Sequence, residues 1–134
     1  QTKLKNLIEK TCKDYKIDKK RIILTGMSRG GYGTWSMANR NPNYFAAILP
    51  MSASSGINVK NFVNTPIWAM CGDKTSSELS TNKNMKKLIN KINKASGKNL
   101  AKFETIKGAR HGTVQQKAYP RLKLFKWMLS QKKN

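Results

Sequence analysis

Apolar positions along the chain follow two periods. In residues 3–15, Leu4, Leu7, Ile8, Cys12 and Tyr15 recur at helical spacing with lysines between them, which predicts an amphipathic helix. Asp18 follows as a turn residue, and residues 21–25 (Arg-Ile-Ile-Leu-Thr) form a short branched run of the kind that makes a buried parallel strand. Residues 46–50 and 66–71 predict two more strands, and residues 100–106 alternate enough to make a fourth at a sheet edge. Helices are predicted over 31–39, ended by Asn41-Pro42, and over 82–96, with Met85, Leu88, Ile89 and Ile92 on one face and Gly97 as C-cap. A last helix over 115–131 would bury Leu122, Phe125, Met128 and Leu129, with Pro120 in its first turns. The small polar stretches 52–64 and 72–81 read as loops, the first with at most one short helix, and 108–113 reads as a third loop. Strands and helices that alternate in this way imply an α/β fold, with about four parallel strands, helices on both faces and right-handed crossovers. Residues 1–134 are expected to form a single domain.

The glycine-rich turn between the first strand and its helix changes this from a scaffold to a candidate site. Gly26-Met27-Ser28-Arg29-Gly30 is G-x-S-x-G in a strand–turn–helix context. A turn that sharp forces the serine into a strained conformation and tips its Oγ out over the sheet. Glycine is expected on both sides because the backbones come too close for a Cβ, and Gly31 and Gly33 would let the helix pack closely. The helix N-terminus would face the anion formed when Ser28 attacks an acyl carbon, and the Arg29 N–H would be one oxyanion donor. The other reading of the motif is a phosphate loop or an ordinary tight turn.

His111 is the only histidine, and therefore the only near-neutral base among the side chains. It lies between the last strand and the last helix, where the order Ser…acid…His puts the base. Its alternative is a structural role. The acid should follow the third strand. Asp73, nearest the strand end, is favoured over Glu78, and Glu104, within the fourth strand, is poorly placed. The alternative for Asp73 and Glu78 alike is solvation of a loop. Met27, Met51 and the loop from Ser52 to Ser55 are positioned to line an acyl pocket.

Composition adds one anomaly. The 134 residues carry 27 Lys plus Arg against six Asp plus Glu, a net charge of +21. Attraction to nucleic acid or another polyanion is the functional reading; a solvated lysine coat is the plain one, favoured because the cations are spread along the chain without a stripe or tail. At 38% hydrophobic residues, with eleven aromatic ones, the chain can still build a core. Cys12 and Cys71 are too few for a disulfide framework, fit no metal spacing and read as buried free thiols. No membrane span and no signal peptide is expected.

Taken together, residues 18–35 resemble the nucleophile segment of the α/β-hydrolase superfamily, specifically the carboxylesterase and prolyl-oligopeptidase-like "predicted peptidase" hydrolases. Residues 41–50 and 65–70 continue the resemblance, as do His111, Tyr119, Leu124 and Trp127. It covers nearly the whole chain and corresponds to the C-terminal half of such enzymes. It implies a reduced α/β-hydrolase-like three-layer sandwich, a Ser-His-acid triad acting on a small-molecule carboxylic ester, esterase or lipase in type, and no metal or organic cofactor. In the family the third strand leads into His-Gly-x-x-Asp; here Cys71 replaces that histidine and Thr75 stands at the aspartate. The resemblance further implies that a second oxyanion donor comes from a loop without a counterpart here. It also makes the first strand an exposed edge, open to a second copy or a partner chain. A catalytically weak or inactive module of this fold that binds a polyanion through its lysines is the alternative function.

Overall fold

The computed structural model describes residues 2–133. Four strands, β1 (Ile23–Met27), β2 (Ala47–Met51), β3 (Ile67–Gly72) and β4 (Ala101–Ile106), form one parallel sheet in the order β1-β2-β3-β4. Helices α1 (Thr2–Asp14), α2 (Arg29–Arg40), α3 (Ser76–Ser96), α4 (Val114–Ala118) and α5 (Leu122–Ser130) surround it.

Strand alternation sorts the side chains into two cores. Ile67, Ala69 and Cys71 of β3 face one side with Trp35 of α2 and with Met85, Ile89 and Ile92 of α3. Trp68 and Met70 face the other side, with Val114 and Ala118 of α4 and Leu124 of α5. Three layers result, and every residue of β2 and β3 is buried, as central parallel strands require. Pro50 lies inside β2 all the same. Ile48 and Ser52 donate their N–H groups toward the β3 side, to Pro66 and Met70. Alternation puts position 50 on that side too, so the proline removes one rung between β2 and β3.

Two expectations need correction. Helix α3 starts at Ser76, within the stretch expected to be a loop. Its first two turns have little apolar periodicity, but the Thr75 hydroxyl caps them by accepting the Glu78 N–H at 3.2 Å. The last helix is two helices, α4 and α5, separated at Tyr119–Arg121. Pro120 interrupts the ladder and resets the helical phase, so Leu124 is buried while Leu122 and Leu129 are 67% and 75% exposed. Helix α1 forms as expected, but no residue in it is fully buried. Ile8 packs on the core, whereas Leu4 and Leu7 remain open to solvent. β1 is an edge strand, with its outer side unpaired among the described residues. Cys71 is fully buried and Cys12 partly so, both as free thiols. Among the described residues no helix is long and apolar enough to cross a membrane.

Candidate active site

Ser28 stands alone between the end of β1 and the start of α2, with φ 56° and ψ −117°. Serine rarely adopts this region, and holding it there costs about 1–3 kcal/mol. Its N–H donates to the Met51 carbonyl at 2.9 Å, and its carbonyl accepts the Tyr32 N–H at 2.9 Å, so the turn is fixed from both ends. The glycines have unequal reasons. A Cβ on Gly26 would run into the Gly30 backbone, and one on Gly31 would lie 2.5 Å from the Met51 carbonyl and 2.7 Å from Ala53 Cβ. At Gly30 and Gly33 a Cβ would meet nothing within 4 Å. The steric expectation therefore holds for Gly26 and Gly31, and fails for Gly30 and Gly33. Helix α2 begins at Arg29, directly after the serine and earlier than the spacing predicts. Its first N–H groups, that of Arg29 included, have no partner within the helix, which begins directly after Ser28.

His111 opens a short 3₁₀ turn, His111–Thr113, after β4. Its Nε2 lies 2.8 Å from Ser28 Oγ and its Nδ1 lies 2.6 Å from Glu78 Oε1. The side chain against the imidazole is thus Glu78 and not Asp73. Asp73 instead accepts the Gly108 N–H on Oδ1 at 2.7 Å and ties down the loop that carries His111. Gly108 has φ 66°, in the region that favours glycine. The same loop is held by Lys74 N–H donating to the Ala109 carbonyl at 3.2 Å, and a Cβ on Gly72 would collide with that carbonyl.

Glu78 is 1% exposed. Burial pushes its carboxyl up, but hydrogen bonds from His111, Cys71, Gly72 and Ser52 more than offset this and hold it below the usual carboxylate range. Oε1 serves His111. Oε2 accepts from Gly72 N at 2.9 Å, from Ser52 Oγ at 3.0 Å and from Cys71 Sγ at 3.2 Å. Burial, and then the carboxylate beside it, push the Cys71 thiol up to about 12, so it stays protonated and donates. The sequence does not mark Ser52 or Cys71 as a partner of the acid. For Glu78 itself the available signal is Thr75-Ser76-Ser77-Glu78, a capping-box pattern that places Glu78 in the first turn of a helix. The glutamate departs from that pattern by turning its side chain to His111.

The residues expected to line an acyl pocket divide. Met51 is fully buried in the second core and Ser52 is buried against Glu78, so neither lines an open pocket. Met27 packs against the second core. Ser54 and Ser55 border a cleft of about 380 Å³ together with Ile57, Asn84, Lys87 and Leu88.

This sheet, turn and loop arrangement is the α/β-hydrolase fold. A thermostable esterase superposes on 98% of the chain with a TM-score of 0.85 at 23% identity, and the match covers 36% of that esterase. An S-formylglutathione hydrolase of Staphylococcus aureus matches over 95% of the chain and 59% of its own length (TM-score 0.68, 20% identity). A fluorophosphonate-binding serine hydrolase of Staphylococcus aureus, solved with substrate bound, matches over 96% of the chain and 63% of its own length (TM-score 0.71, 17% identity). The chain therefore spans between about one third and two thirds of these structures. No protein-family model matches it, and no curated protein does.

Proposed function

We propose that the chain is a serine hydrolase that cleaves carboxylic esters, with Ser28 as nucleophile, His111 as general base and Glu78 as the acid of the triad. The observation that carries this reading is the continuous path from Ser28 Oγ to His111 Nε2 at 2.8 Å and from His111 Nδ1 to Glu78 Oε1 at 2.6 Å. Glu78 keeps the proton on Nδ1, which leaves Nε2 free to accept. Ser28 Oγ attacks the ester carbonyl as His111 takes its proton, and the oxyanion forms beside the Arg29 N–H at the N-terminus of α2. Collapse of the tetrahedral intermediate expels the alkoxide, which takes the proton back from His111. Water then attacks the acyl-serine through the same imidazole and releases the carboxylic acid. Solved structures of esterases and serine hydrolases sharing the fold support the reaction class.

Covalent labelling by a fluorophosphonate, followed by peptide mapping, tests the nucleophile. Labelling at Ser28 is expected, together with loss of p-nitrophenyl acetate turnover in Ser28→Ala. Equal turnover by both proteins would overturn the proposal.

A further inference from the structure

Adjacent strands end alike. Met27 closes β1 and Met51 closes β2, and the two are register partners. Each is followed by a serine with a positive φ, 56° at Ser28 and 46° at Ser52. The first serine faces His111, and the second, buried, faces Glu78. One strand further along, Cys71 and Gly72 at the end of β3 direct a thiol and an N–H to the same Glu78 oxygen. The ends of β2 and β3 therefore form a three-donor cradle around Oε2.

We infer that Ser52 and Cys71 are positioning residues of this site: their hydrogen bonds fix Glu78 through Oε2 so that Oε1 alone meets His111. The inference rests on the reading of Glu78 as the partner of His111 in catalysis. A buried carboxylate without such donors would draw a proton or turn away. Gly72 supplies one donor from the backbone, which no substitution but proline would remove. The other two are side chains. Ser52 holds its place in a backbone region that suits glycine better, which calls for a reason, and its hydroxyl donating to Glu78 is that reason. Cys71, with its thiol pushed up to about 12, can act here only as a donor.

The consequence is a particular pH signature. With a donor removed from Oε2, Glu78 is held less far below the usual carboxylate range and takes up a proton at higher pH. The acid limb of the kcat/KM profile then moves to higher pH. A residue that merely fills space would lower activity without moving that limb.

Three variants test this on the intact chain: Ser52→Gly, Cys71→Ala and Cys71→Ser. Ser52→Gly removes the hydroxyl while easing the backbone, so its melting temperature should stay at or above that of the parent. Its kcat/KM for p-nitrophenyl acetate should fall about three- to tenfold, with the acid limb displaced upward. Cys71→Ala should do the same, and Cys71→Ser, which keeps a donor, should restore both activity and limb. A folded Ser52→Gly and a folded Cys71→Ala with the parent's kcat/KM and pH profile would overturn the inference. If the parent itself neither turns over the ester nor labels at Ser28, it is the proposed reaction that fails, and the two failures are thereby told apart.

Discussion

Two acids at neighbouring positions have separate work, and substitution should split them. Glu78→Gln keeps the shape but removes the charge that faces Nδ1. A fall in kcat/KM on the order of 10³–10⁴-fold is expected, as for other triads that lose the acid's charge. Asp73→Asn keeps an oxygen for the Gly108 N–H and should remain within about threefold of the parent. The reverse ranking in a steady-state assay would show that Asp73 is the working acid. The glycines should separate as well. Gly26→Ala forces its Cβ into the Gly30 backbone and should cost about 2–3 kcal/mol in denaturant unfolding. Gly30→Ala meets open space inside a helix and should be neutral or stabilising by up to about 1 kcal/mol. If Gly30→Ala proved as damaging as Gly26→Ala, the packing account of the turn would be wrong. Ser28 and His111 are legible in the sequence because the motif and the chain order name residue types that few other jobs demand. Glu78 is not singled out there, because nearness to a strand end is a poor guide when the helix after it starts early. Ser52 and Cys71 lack a motif altogether, and only packing brings them to the carboxylate.

Elements are easiest to read where burial dictates the pattern. β2 and β3 are apolar because both faces are covered, and the apolar stripe of α3 marks the part that rests on the sheet. The first turns of α3 carry no such stripe: they present Glu78 to the site, and Leu79 stays exposed among polar residues. The Thr75 cap holds that end. Thr75→Ala should therefore cost about 1 kcal/mol of stability. Because Glu78 lies in the capped turn, it should also lower kcat/KM at temperatures well below melting. Thr75→Ser, which keeps the hydroxyl, should restore both; loss of stability without any change in kcat/KM would mean that the turn holds its shape without the cap. The split of the last helix escapes the pattern for a different reason. A proline in a first turn and a proline at a break look alike until the phase of the next helical turns is known, and here the phase favours Leu124 over its neighbours. α1 shows the converse, a clear stripe with little to pack on.

On the scale of the whole molecule, the scarcity of acids concentrates the response to low pH. Of six acids, three are held below the usual range: Glu9, at the surface, by the Tyr44 hydroxyl and Lys19, and Glu78 and Glu104 in spite of burial, Glu78 by hydrogen bonds and Glu104 chiefly by Arg121 at 2.8 Å. A carboxyl whose value is lower in the folded state stabilises the fold fully above its unfolded value, about 4.3. That stabilisation is lost as pH falls through the folded value. Protonation also removes negative charge from a chain that already carries +21. The melting temperature should thus hold down to about pH 5 and drop steeply below about pH 4. Glu104→Gln should flatten part of that drop. A melting temperature that stays level from about pH 6 to about pH 3 would overturn this assignment.

The two strained serines leave a mark on how the chain can change over generations. Glycine would sit at lower energy at both positions, so in a lineage that no longer used the hydroxyls, drift would run downhill toward glycine at residue 28 and residue 52 together. On the proposed reaction, a need for the hydroxyls is what would oppose that slope. The pair therefore works as a gauge of use: in related chains, loss of one serine without the other would date which half of the relay was abandoned first.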